Sequence, residues 1–261
     1  MIKVRKAEME KIAPLFSGIQ DSMVIACLQG YMGDAFVRSW ESPEAALIIS
    51  GEYSFFGGRA DSKDGIYLAE HFFDADPGDE SVAIFDEDEP EWERILMDQA
   101  HNHPVPVTRF GIVQKDYDFD RDLLRQYSQT VPDGFLLKAF DEDIYCQAMK
   151  EAWSREFCET FASADDFLSR GFGFAVLDNG LLVSGASTMT VYDGGAELQV
   201  ATRESHRCRG LAMACAAATV LKCVEMGIRP CWDAANLISR SMALKLGYEY
   251  KGEYMTVHMH R

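Results

Sequence analysis

The sequence predicts an α/β protein of the α+β kind, and three observations predict it. Short β-branched runs such as AALIIS at 45–50 read as buried strands. Ile12, Leu15, Phe16 and Ile19 recur at helical spacing. Turn pairs such as Asn179-Gly180, which accept the positive φ of tight hairpins, punctuate the second half. With 261 residues, of which 48% are hydrophobic, the chain can bury one large core or two small ones. That composition excludes a disordered chain.

Helices are expected at 7–16 and 20–33, then a strand at 45–50 that 53–56 continues or turns into a hairpin. Strands at 82–85 and 107–113 flank a helix over 91–101. Ten carboxylates and no Lys or Arg lie between Asp74 and Glu93. They read as a solvated acidic loop and helix start, because their spacing is not that of a calcium loop. The cluster Thr130-Val131-Pro132-Asp133-Gly134 marks a domain boundary, giving an N-terminal α/β domain at 1–130 and a second domain at 131–261. Beyond it follow a strand at 135–140, helices at 143–159 and 164–170, and strands at 173–177, 181–192 and 196–202. Trp153, Phe157, Phe161 and Phe167 read as helix-to-sheet packing.

Composition narrows the function classes. Against 42 Asp+Glu stand 25 Lys+Arg, a formal charge of −17, so no nucleic-acid partner is expected. The longest apolar stretch, 212–221, is well short of the ~18 residues of a membrane span, and no signal peptide is read at the start. The seven cysteines form no CxxC pair and fit reduced, buried thiols of a cytoplasmic protein. His101/His103 and His258/His260 lack further ligands at metal spacing, so no metal is expected.

The segment that carries chemistry is Arg207-Cys208-Arg209-Gly210-Leu211-Ala212, which follows a strand and opens a helix ending before Gly227. A glycine at a helix start leaves backbone N–H groups free at the positive end of the helix dipole, a ready phosphate site. Arg203, Arg207 and Arg209, with His206 beside them, make a basic spot on an acidic chain. The alternative is a surface turn with solvated arginines. The pattern is neither a G-x-x-x-x-G-K-[ST] loop nor a G-x-G-x-x-G fingerprint. Further on, Pro230-Cys231-Trp232 reads as a short strand, Asn236 as the N-cap of a helix over 237–246, and 248–257 as a closing strand.

R-x-x-G-x-A (Arg207, Gly210, Ala212) followed by N-x-x-S and A-x-K-L-G-Y (Asn236, Ser239, Ala243, Lys245, Leu246, Gly247, Tyr248) resembles the GCN5-related N-acetyltransferase (GNAT) superfamily. The wording of the second half, over 135–261, is similar to the branch that includes the zwittermicin A self-resistance acetyltransferase. Residues 1–130 carry no matching motif. The resemblance implies a GNAT-type mixed, mostly antiparallel sheet flanked by helices at 131–261, with acetyl-CoA as co-substrate. It implies that Val200, Ala201 and Thr202 pair with the pantetheine arm, and that the amides of Cys208 to Ala212 hold the pyrophosphate. Asn236 and Ser239 would touch the pantetheine or thioester region. Glu197 is the base candidate, the alternative being a solvent-facing strand residue. In many relatives the carboxylate stands one residue away, a parity that a β-bulge would reconcile. The family's tyrosine acid would fall at Ala243, which donates no proton, and Tyr248 and Tyr254 read as packing aromatics. The implied reaction is acetyl transfer to a primary amine of a small molecule. The N-terminal domain is expected to supply a wall of the acceptor site, its acidic segment favouring a cationic amine. The competing reading is a non-catalytic acyl-CoA-binding module; a protein-interaction role comes third.

Overall fold

The computed structural model describes residues 1–75, 78–113 and 118–261; Asp76 of the acidic segment therefore lies outside the described residues. In chain order the elements are β1 (Ile2–Lys3), α1 (Ser22–Leu28), β2 (Asp34–Val37), β3 (Ala45–Ser50), β4 (Tyr53–Gly58), α2 (Lys63–His71), β5 (Glu80–Phe85), α3 (Glu91–Met97) and β6 (Val105–Val113). There follow α4 (Arg121–Gln129), β7 (Phe135–Ala139), α5 (Glu142–Ala148), α6 (Ala152–Arg155), α7 (Ala164–Arg170), β8 (Gly173–Asp178), β9 (Leu181–Tyr192) and β10 (Gly195–Thr202). Last come α8 (Leu211–Met226), β11 (Arg229–Cys231), α9 (Leu237–Leu246) and β12 (Glu249–His260). No helix among the described residues is long and apolar enough to cross a membrane.

The chain divides into one unit of residues 1–109 with 253–261 and a second of 110–252. The sequence placed the boundary at 130. The structure moves it because α4 packs on α8, with Phe119 and Leu124 in the second unit's core. The Thr130–Gly134 cluster is only the link between α4 and β7. The closing strand also changes allegiance, since β12 from Glu253 onward belongs to the first unit.

In the first unit the strand order is β1-β2-β3-β4-β5-β12-β6. The β4–β5 pair is parallel, Tyr53 against Val82, and α2 makes the crossover that a parallel pair requires. One core layer sets Leu68, Phe72, Trp92 and Leu96 against Leu47, Phe56 and Val257. The Trp92 indole N–H donates to the Gly58 carbonyl at 3.0 Å, which satisfies its polar atom inside that core. The expected helix at 7–16 is two 3-10 segments, Lys6–Lys11 and Ala13–Phe16. Pro14 in the first turn of the second segment supplies no N–H and disfavours helical backbone at residue 13.

The second unit holds a sheet of order β11-β10-β9-β8-β7, antiparallel except for the β10–β11 pair. Helix α8 packs on β8, β9 and β10, and α5 and α6 pack on β9 and β10. Leu198 and Val200 join the α8 core. Gln199, between them, bonds the Glu156 carboxylate at the end of α6, so β10 shows alternating faces to the two helical layers. Phe157, Phe161 and Phe167 are buried, Phe161 meeting Phe167 edge to face and Phe157 meeting Trp153 in the same way, as expected for packing residues. The helix expected at 143–159 is split. Ser154 donates its hydroxyl to the Ala148 carbonyl at 2.8 Å, and Glu151 takes an extended conformation between α5 and α6.

Candidate functional site

Strand β10 is longer than its parallel partner. It pairs with β11 only over Gly195, Ala196 and Glu197, opposite Arg229, Pro230 and Cys231. From Leu198 to Thr202 it keeps its antiparallel ladder with β9 and, among the described residues, has no strand on the β11 side. Val200, Ala201 and Thr202 thus lie on an open sheet edge, whose backbone groups can pair with an extended ligand.

Directly beyond that edge the chain passes one 3-10 turn, Glu204–His206, and enters α8. The N-cap is Gly210 at φ +80°, with no side-chain cap, and nothing lies within 4 Å of where its Cβ would stand. Among the described residues the backbone N–H groups of Cys208, Arg209, Gly210, Leu211, Ala212 and Met213 have no acceptor in the chain. Six free donors at the positive end of a 16-residue helix form an anion cradle. Arg207 and Arg209 are exposed beside it. Arg203 is not part of this basic spot, because its guanidinium bonds Glu151 and lies 5.5 Å from the Trp153 ring centroid. Cys208 is exposed and has φ +62°, and with Cys146 it departs from the expectation of buried thiols.

Glu197 sits where β10 and β11 part. It is 6% exposed, and its Oε1 accepts the Asp233 N–H at 3.1 Å. It is therefore no solvent-facing strand residue. The register with β9 shifts here: Glu197 pairs with Thr190 and Leu198 with Thr188. Met189 is thus the extra residue of a bulge on β9, and β10 itself contributes none. The parity argument asked for a bulge in the strand that carries Glu197; this one lies on the neighbouring strand and leaves the alternation of β10 unchanged.

The loop after β11 is pinned by this carboxylate at Asp233 and by reciprocal backbone bonds between Ala234 and Phe110. Asn236 then caps α9, its Oδ1 accepting the N–H groups of Ile238 and Ser239, both at 3.0 Å. Ser239 Oγ accepts the Trp232 indole N–H at 3.1 Å. The cap expected at Asn236 is therefore present, whereas the bond of Ser239 to Trp232 is structural work that its motif did not announce. The two jobs of Asn236 separate by substitution. Asn236→Asp keeps the cap, whereas Asn236→Ala costs about 1 kcal/mol of stability, read by denaturant titration.

Ala243 is fully buried in the α8 core, so no proton donor stands at the family's tyrosine position. Tyr248 does not replace it. Burial pushes its phenol well above the ordinary range, and its hydroxyl donates to the Pro230 carbonyl at 2.9 Å. Tyr248→Phe is expected to cost about 1–3 kcal/mol through that buried carbonyl while turnover stays within twofold.

An open strand edge leading into an uncapped helix N-terminus has the shape and the donors to suit a phosphate-bearing, chain-like ligand laid along one strand. The chain belongs to the GNAT acetyltransferase family, which matches residues 13–257. That span takes in most of the first 130 residues, where no motif was read. The chain is 30% identical to a GCN5-related N-acetyltransferase-like protein from Streptococcus suis 89/1591, covering 98% of this chain and 100% of that one with a TM-score of 0.87. It is 37% identical over 128 residues to YdfB, an uncharacterized N-acetyltransferase of Bacillus subtilis, a match covering 48% of each chain. The matched part thus spans about half the length of that curated relative. A GCN5-related N-acetyltransferase from Sphaerobacter thermophilus shares the fold at 15% identity, covering 98% of this chain and 94% of that one with a TM-score of 0.56.

Proposed function

We propose that this chain transfers the acetyl group of acetyl-CoA to a primary amine of a small molecule. The observation that carries the reading is the continuity between the open edge of β10 and the six free amides at the start of α8. The family uses acetyl-CoA as co-substrate, and the residues present fit it. An extended pantetheine arm matches the edge at Val200, Ala201 and Thr202. A pyrophosphate matches the donors of Cys208 to Ala212, flanked by Arg207 and Arg209.

In the reaction the amine nitrogen bonds the acetyl carbon and the carbon–sulfur bond breaks. Glu197 receives the proton lost by the amine, directly or through a water, and a backbone N–H polarises the carbonyl. Water supplies the proton that the thiolate takes up, since Ala243 holds no acid. The acidic surface favours a cationic amine by field. Part of the tract is already committed: Glu91 pairs with Arg94, and Asp86 caps its own turn by accepting the Asp88 N–H. All seven cysteines are free thiols, in keeping with a reducing, cytoplasmic setting. Within the family, the wording of 135–261 supports placement near the zwittermicin A self-resistance branch.

The buried Ala243 favours one second reading, a module that binds acyl-CoA without consuming it. Incubation with acetyl-CoA and a panel of primary amines, followed by release of the free coenzyme thiol, separates the two. Amine-dependent release is expected. Binding without release for any amine gives the site to the non-catalytic module, and no binding removes both readings.

A further inference from the structure

The loop that enters α8 contains two left-handed residues, Cys208 at φ +62° and Gly210 at φ +80°. Glycine occupies that region freely, but a residue with a β-carbon does so at a cost and stays only where its surroundings hold it. Cys208 lies between two anchored neighbours. On one side, the His206 Nε2–H donates to Asp178 Oδ2 at 3.1 Å, and the Ser205 hydroxyl meets His206 Nδ1 at 2.9 Å. Asp178 is the last residue of β8, so this bond ties the loop to the sheet. The His206 ring also stands edge-on to Phe135 of β7, with centroids 6.1 Å apart. On the other side, Arg209 donates to the Ser205 carbonyl at 3.2 Å and lies over the same Phe135 ring at 6.0 Å.

We infer that His206 is a positioning residue: its bond to Asp178 holds Cys208 in the left-handed region, which aims the amides of 208–212 at one point. The inference rests on the coenzyme reading above. It assigns His206 no contact with substrate and no proton in the reaction. Its effect therefore falls on the strength of coenzyme binding and not on the chemical step.

The test compares wild type, His206→Ala, Asp178→Asn and the double variant His206→Ala/Cys208→Gly, with KM for acetyl-CoA, kcat and the acetyl-CoA-dependent rise in Tm as readouts. His206→Ala is expected to raise KM about tenfold at unchanged kcat, the size of a left-handed penalty of one residue. Asp178→Asn, whose amide oxygen still accepts the imidazole N–H, stays within about threefold. In the double variant glycine occupies position 208 without strain, and most of the lost affinity returns. An unchanged KM in His206→Ala overturns the inference. So does a loss that Cys208→Gly does not recover, which would place His206 against the ligand or in folding. A wild type that binds no acetyl-CoA removes the coenzyme reading itself and the inference with it. If His206→Ala does not fold, Asp178→Ala breaks the same bond from the β8 side and must show the same rise and the same recovery.

Discussion

Gly210→Glu is expected to remove the stabilisation that acetyl-CoA gives the wild-type chain. At a coenzyme concentration ~100 times the dissociation constant, binding adds ~2.7 kcal/mol to the native state. For a chain of this length that is a rise of roughly 5–10 °C in Tm. The variant acts in two ways. Residue 210 has φ +80°, a conformation L side chains rarely adopt, so any side chain strains the cap even though the space is open. The added carboxylate then stands at the helix N-terminus, where it satisfies the donors meant for phosphate and repels the ligand. Gly210→Ala isolates the first effect and should weaken binding about tenfold, leaving a smaller rise in Tm. Thermal unfolding of the three proteins with and without acetyl-CoA reads both. A full rise in Gly210→Glu would remove the loop from the binding site.

The loop was legible because its signal is local. Strand, arginines, glycine and helix formers stand within a few residues, and the free amides follow from where the helix begins. The Asn236 cap was legible for the same reason. What stayed hidden depends on partners distant in sequence. The pattern of 248–257 announces a strand but not that it joins β5 through pairs such as Val257 with Ala83. Helix α4 carries few apolar residues among its charges, so the burial of Leu124 against α8 leaves little trace in the sequence. Helix α2 was missed because Gly65 weakens its first turn. The structure needs that glycine, since a β-carbon there would stand 2.4 Å from the Ala60 carbonyl oxygen. The bond of His206 to Asp178 spans 28 residues, and nothing in either neighbourhood signals the other.

The same distinction governs Glu197, where sequence offered base or solvent-facing residue and the structure gives a buried carboxylate holding a backbone N–H. A group so placed has a structural role that any test of catalysis must keep intact. Glu197→Gln does so, because its amide oxygen still accepts the Asp233 N–H while taking no proton from the amine. Its kcat is expected to fall about 10²- to 10⁴-fold, the range for loss of a general base, with KM for acetyl-CoA and Tm near wild type. Glu197→Ala removes the hydrogen bond as well, so the same fall in kcat should come with about 1.5–3 kcal/mol of lost stability. The pair of variants therefore separates chemistry from architecture. A Glu197→Gln enzyme within about threefold of wild-type kcat would show that the carboxylate serves only to pin Asp233. The proton would then leave through water alone, and the buried row of Thr190, Glu197 and Cys231 would mark the floor of the strand split and not its base.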